Sequence, residues 1–96
     1  MNIKSEWFGT TLLSRQTGRE AYNDFRSNLE LIKDDEEIII ILDGVITFPP
    51  GWGDEFLTPI IKQFGDRMKL KKTTNPSVLA TLRILTEIHK IKFNII

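Results

Sequence analysis

The feature that most constrains the fold is an uninterrupted apolar run, I-I-I-I-L, from Ile38 to Leu42. A strand with one face in water alternates apolar and polar residues, whereas a continuous run of this length is typical of a strand buried on both faces. Such strands lie in the middle of sheets that helices cover. The run therefore predicts a strand over Glu37–Leu42 inside an α/β domain.

Alternating segments predict three further strands. Apolar and polar residues alternate in three places: around Ile3, Ser5 and Trp7, around Met68 and Leu70, and through the tail Ile91–Ile96. We expect the second to be more exposed than the isoleucine run, and the third to be an edge strand guarded by lysines. Strands and helical segments alternate along the chain, which favours parallel strands joined by crossover helices. The sequence thus predicts one α/β domain over residues 1–96, with a four-stranded, mainly parallel or mixed sheet and three helices.

The first helix is indicated by apolar residues at helical spacing: Ala21, Phe25, Leu29 and Ile32. Either Ser14 or Thr17 can cap its start, and Glu20 follows Thr17 by the three residues that a capping box requires. The K-D-D-E-E run behind the helix is expected to be a solvated turn. Nothing spaces its carboxylates around a common centre, so a metal site is not expected there.

The second helix is predicted from the apolar stripe Phe56, Leu57, Ile60, Ile61 and Phe64. We expect Gly65 to end it as a C-cap. Pro59 falls inside this segment and removes one backbone hydrogen bond. An alternative start, with Thr58 as the cap and Pro59 as the first helical residue, stays open at this point.

The third helix begins with a strong signal, Asn75 followed by Pro76. Asparagine is a favoured N-cap, and proline at the first position loses no hydrogen bond. Its predicted apolar stripe is Val78, Leu79, Leu82 and Leu85. His89 lies near its end, where a cation complements the helix dipole, and this role is preferred over catalysis.

Composition excludes several classes of protein. Lys plus Arg total 13 and Asp plus Glu total 13, so no net field attracts nucleic acid or acidic lipid. The absence of cysteine excludes disulfides and thiolate chemistry. The first residues have no apolar signal region, and no apolar run approaches the ~18 residues that span a bilayer. We expect a soluble, cytoplasmic domain that does not associate with membranes.

The chain lacks the motifs of common catalytic sites, so we expect a protein that is not an enzyme and needs no cofactor or metal. It has no G-x-S-x-G turn, and P-G-W-G-D lacks the lysine of a phosphate-binding loop. Asp54 and Glu55 are adjacent and would diverge by about 100° on a helix. We expect them in the first turn of a helix, where the dipole favours acids.

Asp43 is the one candidate for covalent chemistry. It ends the buried strand, as the phospho-acceptor of a receiver domain does, and I-I-I-I-L-D-G resembles that site locally. A receiver also needs an acidic pair after its first strand to hold magnesium. The predicted first strand is instead followed by F-G-T-T-L-L. The default interpretation of Asp43-Gly44 is therefore a turn, with phospho-acceptor as the alternative.

An ordered set of motifs resembles the STAS-like domains of unknown function, relatives of the anti-sigma factor antagonists. These motifs are S-R-Q-T-G-R-E (14–20), L-D-G-V (42–45), W-G-D-E-F (52–56) and the later N-P-S-V. The resemblance covers roughly Phe8 to Glu87. It implies a protein-binding module whose partner is a GHKL-type ATP-binding protein or kinase.

The chain departs from that family at its regulatory loop. The family switches partners by phosphorylation of a serine in a D-S-S-G loop. Here Pro50, Gly51 and Trp52 occupy that region, and no hydroxyl lies between Thr47 and Thr58. A phosphorylation switch at this loop is therefore not expected, and docking would be constitutive. A subunit of a larger regulatory or defence assembly is a further possibility.

The predicted partner-binding residues are Pro50, Gly51, Trp52, Gly53, Asp54 and Glu55. Two prolines would stiffen this segment, so that little entropy is lost on binding. Trp52 would be an exposed aromatic anchor, the residue type most enriched at binding hot spots. The alternative is that Trp52 folds back into the core beside Phe56.

Overall fold

The computed structural model describes residues 1–9 and 12–96. It confirms the predicted α/β class, with four strands and three helices in alternation. The strands are β1 (Asn2–Lys4), β2 (Ile38–Ile41), β3 (Met68–Leu70) and β4 (Asn94–Ile95). The helices are α1 (Arg15–Leu29), α2 (Pro50–Phe64) and α3 (Pro76–His89). Two 3₁₀ turns, Ser5–Phe8 and Gly65–Arg67, follow β1 and α2.

All four strands lie in one sheet, in the order β1-β2-β3-β4, and every neighbouring pair is parallel. Each crossover therefore moves one strand in the same direction. Because such crossovers are almost always right-handed, this order places all three helices on the same face of the sheet. The contacts of α2 with both α1 and α3 fit this arrangement.

The two faces of the sheet differ in burial, which corrects the expectation that the isoleucine run is buried on both sides. Ile38 and Ile40 are fully buried under the helices, whereas Ile39 and Ile41 are only half-buried. The neighbouring strands repeat this difference. Met68 and Leu70 are buried and Lys69 between them is half-buried, so β3 is less exposed than predicted.

The first strand is shorter than its alternation predicted. It ends at Lys4, and Ser5 to Phe8 turn into a 3₁₀ helix. The change of period leaves Ser5 fully buried and Trp7 58% exposed. At the other end of the sheet, β4 is an edge strand, as predicted.

The helix boundaries confirm most of the capping signals. Ser14, not Thr17, is the N-cap of α1: the Ser14 hydroxyl accepts from the Thr17 N–H, and Thr17 Oγ1 accepts from the Ser14 N–H. Asn75 caps α3, with its Oδ1 2.8 Å from the N–H of Ser77. In the α3 stripe, Leu79 is exposed, contrary to the prediction, and Thr81 is buried in its place.

Helix α2 begins earlier than either predicted start. Pro49 is its N-cap and Pro50 its first residue, where a missing N–H costs nothing. The helix then continues through Pro59 to Phe64, so the alternative start at Thr58 is wrong. Gly65 ends it with φ of 58°, as expected of a C-cap glycine. Within the described residues, no helix is long and apolar enough to cross a membrane.

Candidate functional site at the carboxyl edge of the sheet

Trp52 lies in the core and is 1% exposed, so its expected role as an exposed anchor is wrong. Its ring stacks on Phe56 at a centroid distance of 4.9 Å and meets Phe48 at 5.5 Å and Phe8 at 6.2 Å. The early start of α2 places Trp52 in the first helical turn, on the side that faces α1. The alternative interpretation, in which Trp52 packs beside Phe56, is the one that the structure bears out.

Two glycines let α2 pack closely against its neighbours. A Cβ at Gly18 of α1 would lie 2.6 Å from the carbonyl oxygen of Trp52. A Cβ at Gly53 would lie 2.9 Å from both Phe48 and Thr81, so α3 approaches from the other side. The Thr81 hydroxyl donates to the carbonyl oxygen of Phe48 at this contact. Trp52 and Gly53 are therefore placed by the packing of three helices.

Asp54 and Glu55 are tied to α1 by ion pairs, and Asp54 is tied to α3 by a contact with His89. Arg15 Nη1 lies 2.8 Å from Asp54 Oδ2 and 3.2 Å from Glu55 Oε1, and Arg19 Nη2 lies 3.1 Å from Glu55 Oε1. From α3, His89 Nε2 lies 2.7 Å from Asp54 Oδ1. The two acids are the fifth and sixth residues of α2, not part of its first turn as predicted.

These contacts set the electrostatics of the cluster. Burial alone would raise the pKa of Asp54, but hydrogen bonds from Arg15 and His89 outweigh it and hold that pKa below its ordinary value. Hydrogen bonds from Arg19 and Arg15 likewise lower the pKa of Glu55. Both acids are therefore held as carboxylates. Of the six predicted partner-binding residues, only Pro50 is exposed, and the docking role of this segment stays a prediction.

Exposed apolar side chains occur instead on the loops at the carboxyl ends of β1 and β2. Trp7 is 58% exposed, Leu13 69% and Ile46 68%. The two loops are joined by a hydrogen bond from the Leu12 N–H to the carbonyl oxygen of Thr47. We call Trp7, Leu13 and Ile46 the edge patch. Sequence reasoning assigned Trp7 to a strand and missed this patch; the only signal was apolar residues beside the turn glycines Gly9 and Gly44.

An open cavity of about 810 Å³ lies at the same edge, between the loops that follow β2 and β3. Asp43 lines one side, and Lys72, Thr73 and Thr74 line the other. The two loops are held together by Asn75, whose Nδ2 donates to the carbonyl oxygen of Val45 at 2.7 Å. This hydrogen bond connects the two loops between which the cavity lies.

Glu6 brings a second acid to this edge. Gly44 has φ of 86°, and a Cβ there would collide with the carboxylate of Glu6. Because β1 ends at Lys4 and not at Trp7, one acidic residue, Glu6, does follow the first strand and lies close to Gly44. Across residues 1–9 and 12–96, no three His, Asp or Glu side chains form a group that could hold a metal ion.

Comparisons of the chain with protein-family models, with curated proteins and with solved structures gave no match. The candidate site therefore rests on its geometry: an edge patch of three exposed apolar side chains, and beside it a cavity that carries Asp43 and Lys72.

Proposed function

We propose that the protein is a non-enzymatic protein-interaction module that docks through the edge patch. The observation that supports this proposal is the joint exposure of Trp7, Leu13 and Ile46 on two loops that a backbone hydrogen bond connects. Large exposed apolar side chains, tryptophan above all, are common anchors of a protein interface. Trp7 takes the role that the sequence suggested for Trp52.

The resemblance to STAS-like domains suggests the partner, a GHKL-type ATP-binding protein. Two threonines flank the segment between β2 and the first turns of α2, and the burial of both supports docking that is not switched by phosphorylation there. Thr58 is 5% exposed, so a kinase could not reach it without unfolding α2. Thr47 is half-buried, and its backbone carbonyl holds the neighbouring loop.

Affinity purification with the wild-type chain and three variants tests this proposal. We expect Trp7→Ala and Ile46→Ala each to weaken binding of the purified partner by roughly 30-fold, as truncation of a hot spot of about 2 kcal/mol does. The matched control is Leu31→Ala, which truncates a side chain that is 77% exposed beyond the end of α1. Equal binding by all four proteins would contradict the edge patch. A partner without a GHKL-type domain would contradict the assigned partner class.

The size of the purified complex separates a simple pair from a larger regulatory or defence assembly. A complex of two components would support the module acting alone on its partner. Several co-purifying components that all depend on Trp7 would instead support a subunit role for the same edge patch.

A second candidate function is phosphoryl acceptance by Asp43. The observation that favours it is the placement of Lys72 and Thr73 across the cavity from Asp43, because a cation and a hydroxyl can neutralise and orient a phosphoryl group. A small acyl phosphate with magnesium is the test. Phosphate on wild-type protein but not on Asp43→Asn, labile to hydroxylamine, would favour this candidate. No incorporation would leave docking as the proposed function.

A further inference from the structure

Among residues 1–9 and 12–96, no helix covers one of the two faces of the sheet. The pairing register places Asn2, Ile39, Lys69 and Asn94 side by side, and Lys4 beside Ile41. The ladder continues past β3, since the Lys71 N–H donates to the carbonyl oxygen of Ile40, so Lys71 follows Lys69 on the same side. We call these residues the open face: Asn2, Lys4, Ile39, Ile41, Lys69, Lys71 and Asn94.

An uncovered face is unusual for a sheet of this kind. Parallel sheets occur almost only where both faces are covered, because their connections place helices against them. Here Ile39 and Ile41 are half-buried at the centre of the open face, beside two strands whose outward residues are polar. Strand β2 thus has the apolar composition of a strand covered on both sides, while no helix of the described residues covers its outer side.

The charges around these isoleucines are mostly positive, three lysines to one glutamate. Lys4, Lys69 and Lys71 surround them, in a chain whose total charge is zero. Glu37 pairs with Lys69 Nζ at 3.5 Å, but Glu37 is 56% exposed, and an exposed pair of this kind is easily replaced. A ligand that fits this face therefore needs a narrow apolar strip with carboxylates on its flanks.

We propose that the open face binds an acidic amphipathic α-helix of a partner protein. The apolar stripe of the helix would cover Ile39 and Ile41, and its flanking Asp or Glu residues would pair with the three lysines. A second copy of this chain fits poorly, because face-to-face packing would bring lysines against lysines. Single-stranded nucleic acid fits poorly as well, because none of the four strands carries an aromatic residue for base stacking.

A pair of designed peptides tests this binding. Both are helices of about 18 residues with the same leucine stripe, and they differ only in flanking glutamates or flanking lysines. We expect the glutamate peptide to bind at least roughly tenfold tighter, and more weakly as salt rises to about 0.15 M and above. In methyl NMR spectra it should shift Ile39 and Ile41 while leaving Ile46 of the edge patch unchanged.

Charge reversal supplies the matched control. The variant Lys4→Glu, Lys69→Glu, Lys71→Glu should reverse the preference to the lysine peptide. The control variant Lys33→Glu, Lys62→Glu, Arg83→Glu reverses three exposed cations outside the sheet and should keep it. Thermal melts of both variants establish that they are folded.

Three results would overturn the proposal. The first two are equal binding of the two peptides and shifts confined to residues outside the open face. The third is that Ile39 and Ile41 do not respond to the glutamate peptide but shift with protein concentration, anionic vesicles or an oligonucleotide. The edge patch lies on loops, whereas the open face lies on the strands of the sheet. Loss of partner binding in Trp7→Ala therefore leaves peptide binding by the open face unaffected, and the two proposals can fail separately.

Discussion

The surroundings of the two tryptophans differ in a way that decides how each is used. Trp52 sits in the first turn of α2, between Phe48 and Phe56, and is 1% exposed. Trp7 sits in a 3₁₀ turn after β1 and is 58% exposed. Both have a glycine within two residues in the sequence. An aromatic residue near a glycine is therefore available for docking only where no helix packs over it, as α1 packs over Trp52.

The largest effect should come from emptying the site of the buried tryptophan. Trp52→Ala removes a fully buried ring, and we expect it to lower the free energy of unfolding by about 3–5 kcal/mol. Phe56→Ala, at 0% exposure, should cost a similar amount and is the reference. Urea denaturation of both variants measures the two values. A cost below about 1 kcal/mol for Trp52→Ala would show that the ring is not part of the core.

A smaller effect is expected where α1 crosses Trp52. Gly18→Ala would place a Cβ 2.6 Å from the Trp52 carbonyl oxygen, which forces the two helices apart and should cost about 1–3 kcal/mol. This cost opposes the gain of up to about 1 kcal/mol that alanine brings to a helix. Gly51→Ala is the matched control, because its Cβ would find its nearest neighbour at 3.4 Å. Thermal melts that rank the two variants equally would refute the close crossing.

The ion-pair cluster beside Trp52 should give the protein an acid-sensitive stability. The pKa of Asp54 is lowered in the fold, so its contribution is present above the ordinary pKa of about 4 and is lost as pH falls below it. We expect Asp54→Asn to cost about 1 kcal/mol at pH 7, since Arg15 is half-exposed and solvent screens it. The difference from wild type should shrink toward pH 3.

The smallest effect on stability belongs to the exposed tryptophan. Trp7→Ala should change the free energy of unfolding by less than about 0.5 kcal/mol, because a side chain so exposed makes few core contacts. Together with the loss of partner binding expected above, this would separate the two tryptophans completely. A melting temperature lowered as much as by Trp52→Ala would place Trp7 in the core as well and remove the main support for the edge patch.

Much of the fold could be predicted because its signals are local. The isoleucine run, the Asn75-Pro76 helix start and the Gly65 helix end each depend on a few adjacent backbone groups, and the structure confirms all three. The start of α2 was predicted too late. Proline and glycine are poor helix formers inside a helix, but Pro50 is tolerated at the first position, and Gly53 is required where α3 packs closely.

The candidate site could be predicted only in part. Asp43 was found because it ends a recognisable strand. The cation across the cavity, Lys72, was not found, because it comes from a loop 29 residues later that the parallel pairing of β2 with β3 brings to the same edge. The pairing of Asp54 with Arg15 and His89 was missed for the same reason: each partner lies on a different helix.

The order of strands and helices, the Asn75 cap of α3, the Gly65 cap of α2 and the α/β class could all be predicted from the sequence, since they follow from periodicity and from backbone groups that neighbouring residues satisfy. Which tryptophan is exposed depends on the tertiary structure, and so does the location of Ile39 and Ile41 on a face that no helix of the described residues covers. Burial on one side of a strand or helix depends on where the next element packs. That position is set by the sheet order and by the close crossing at Gly18, neither of which is encoded in a local pattern.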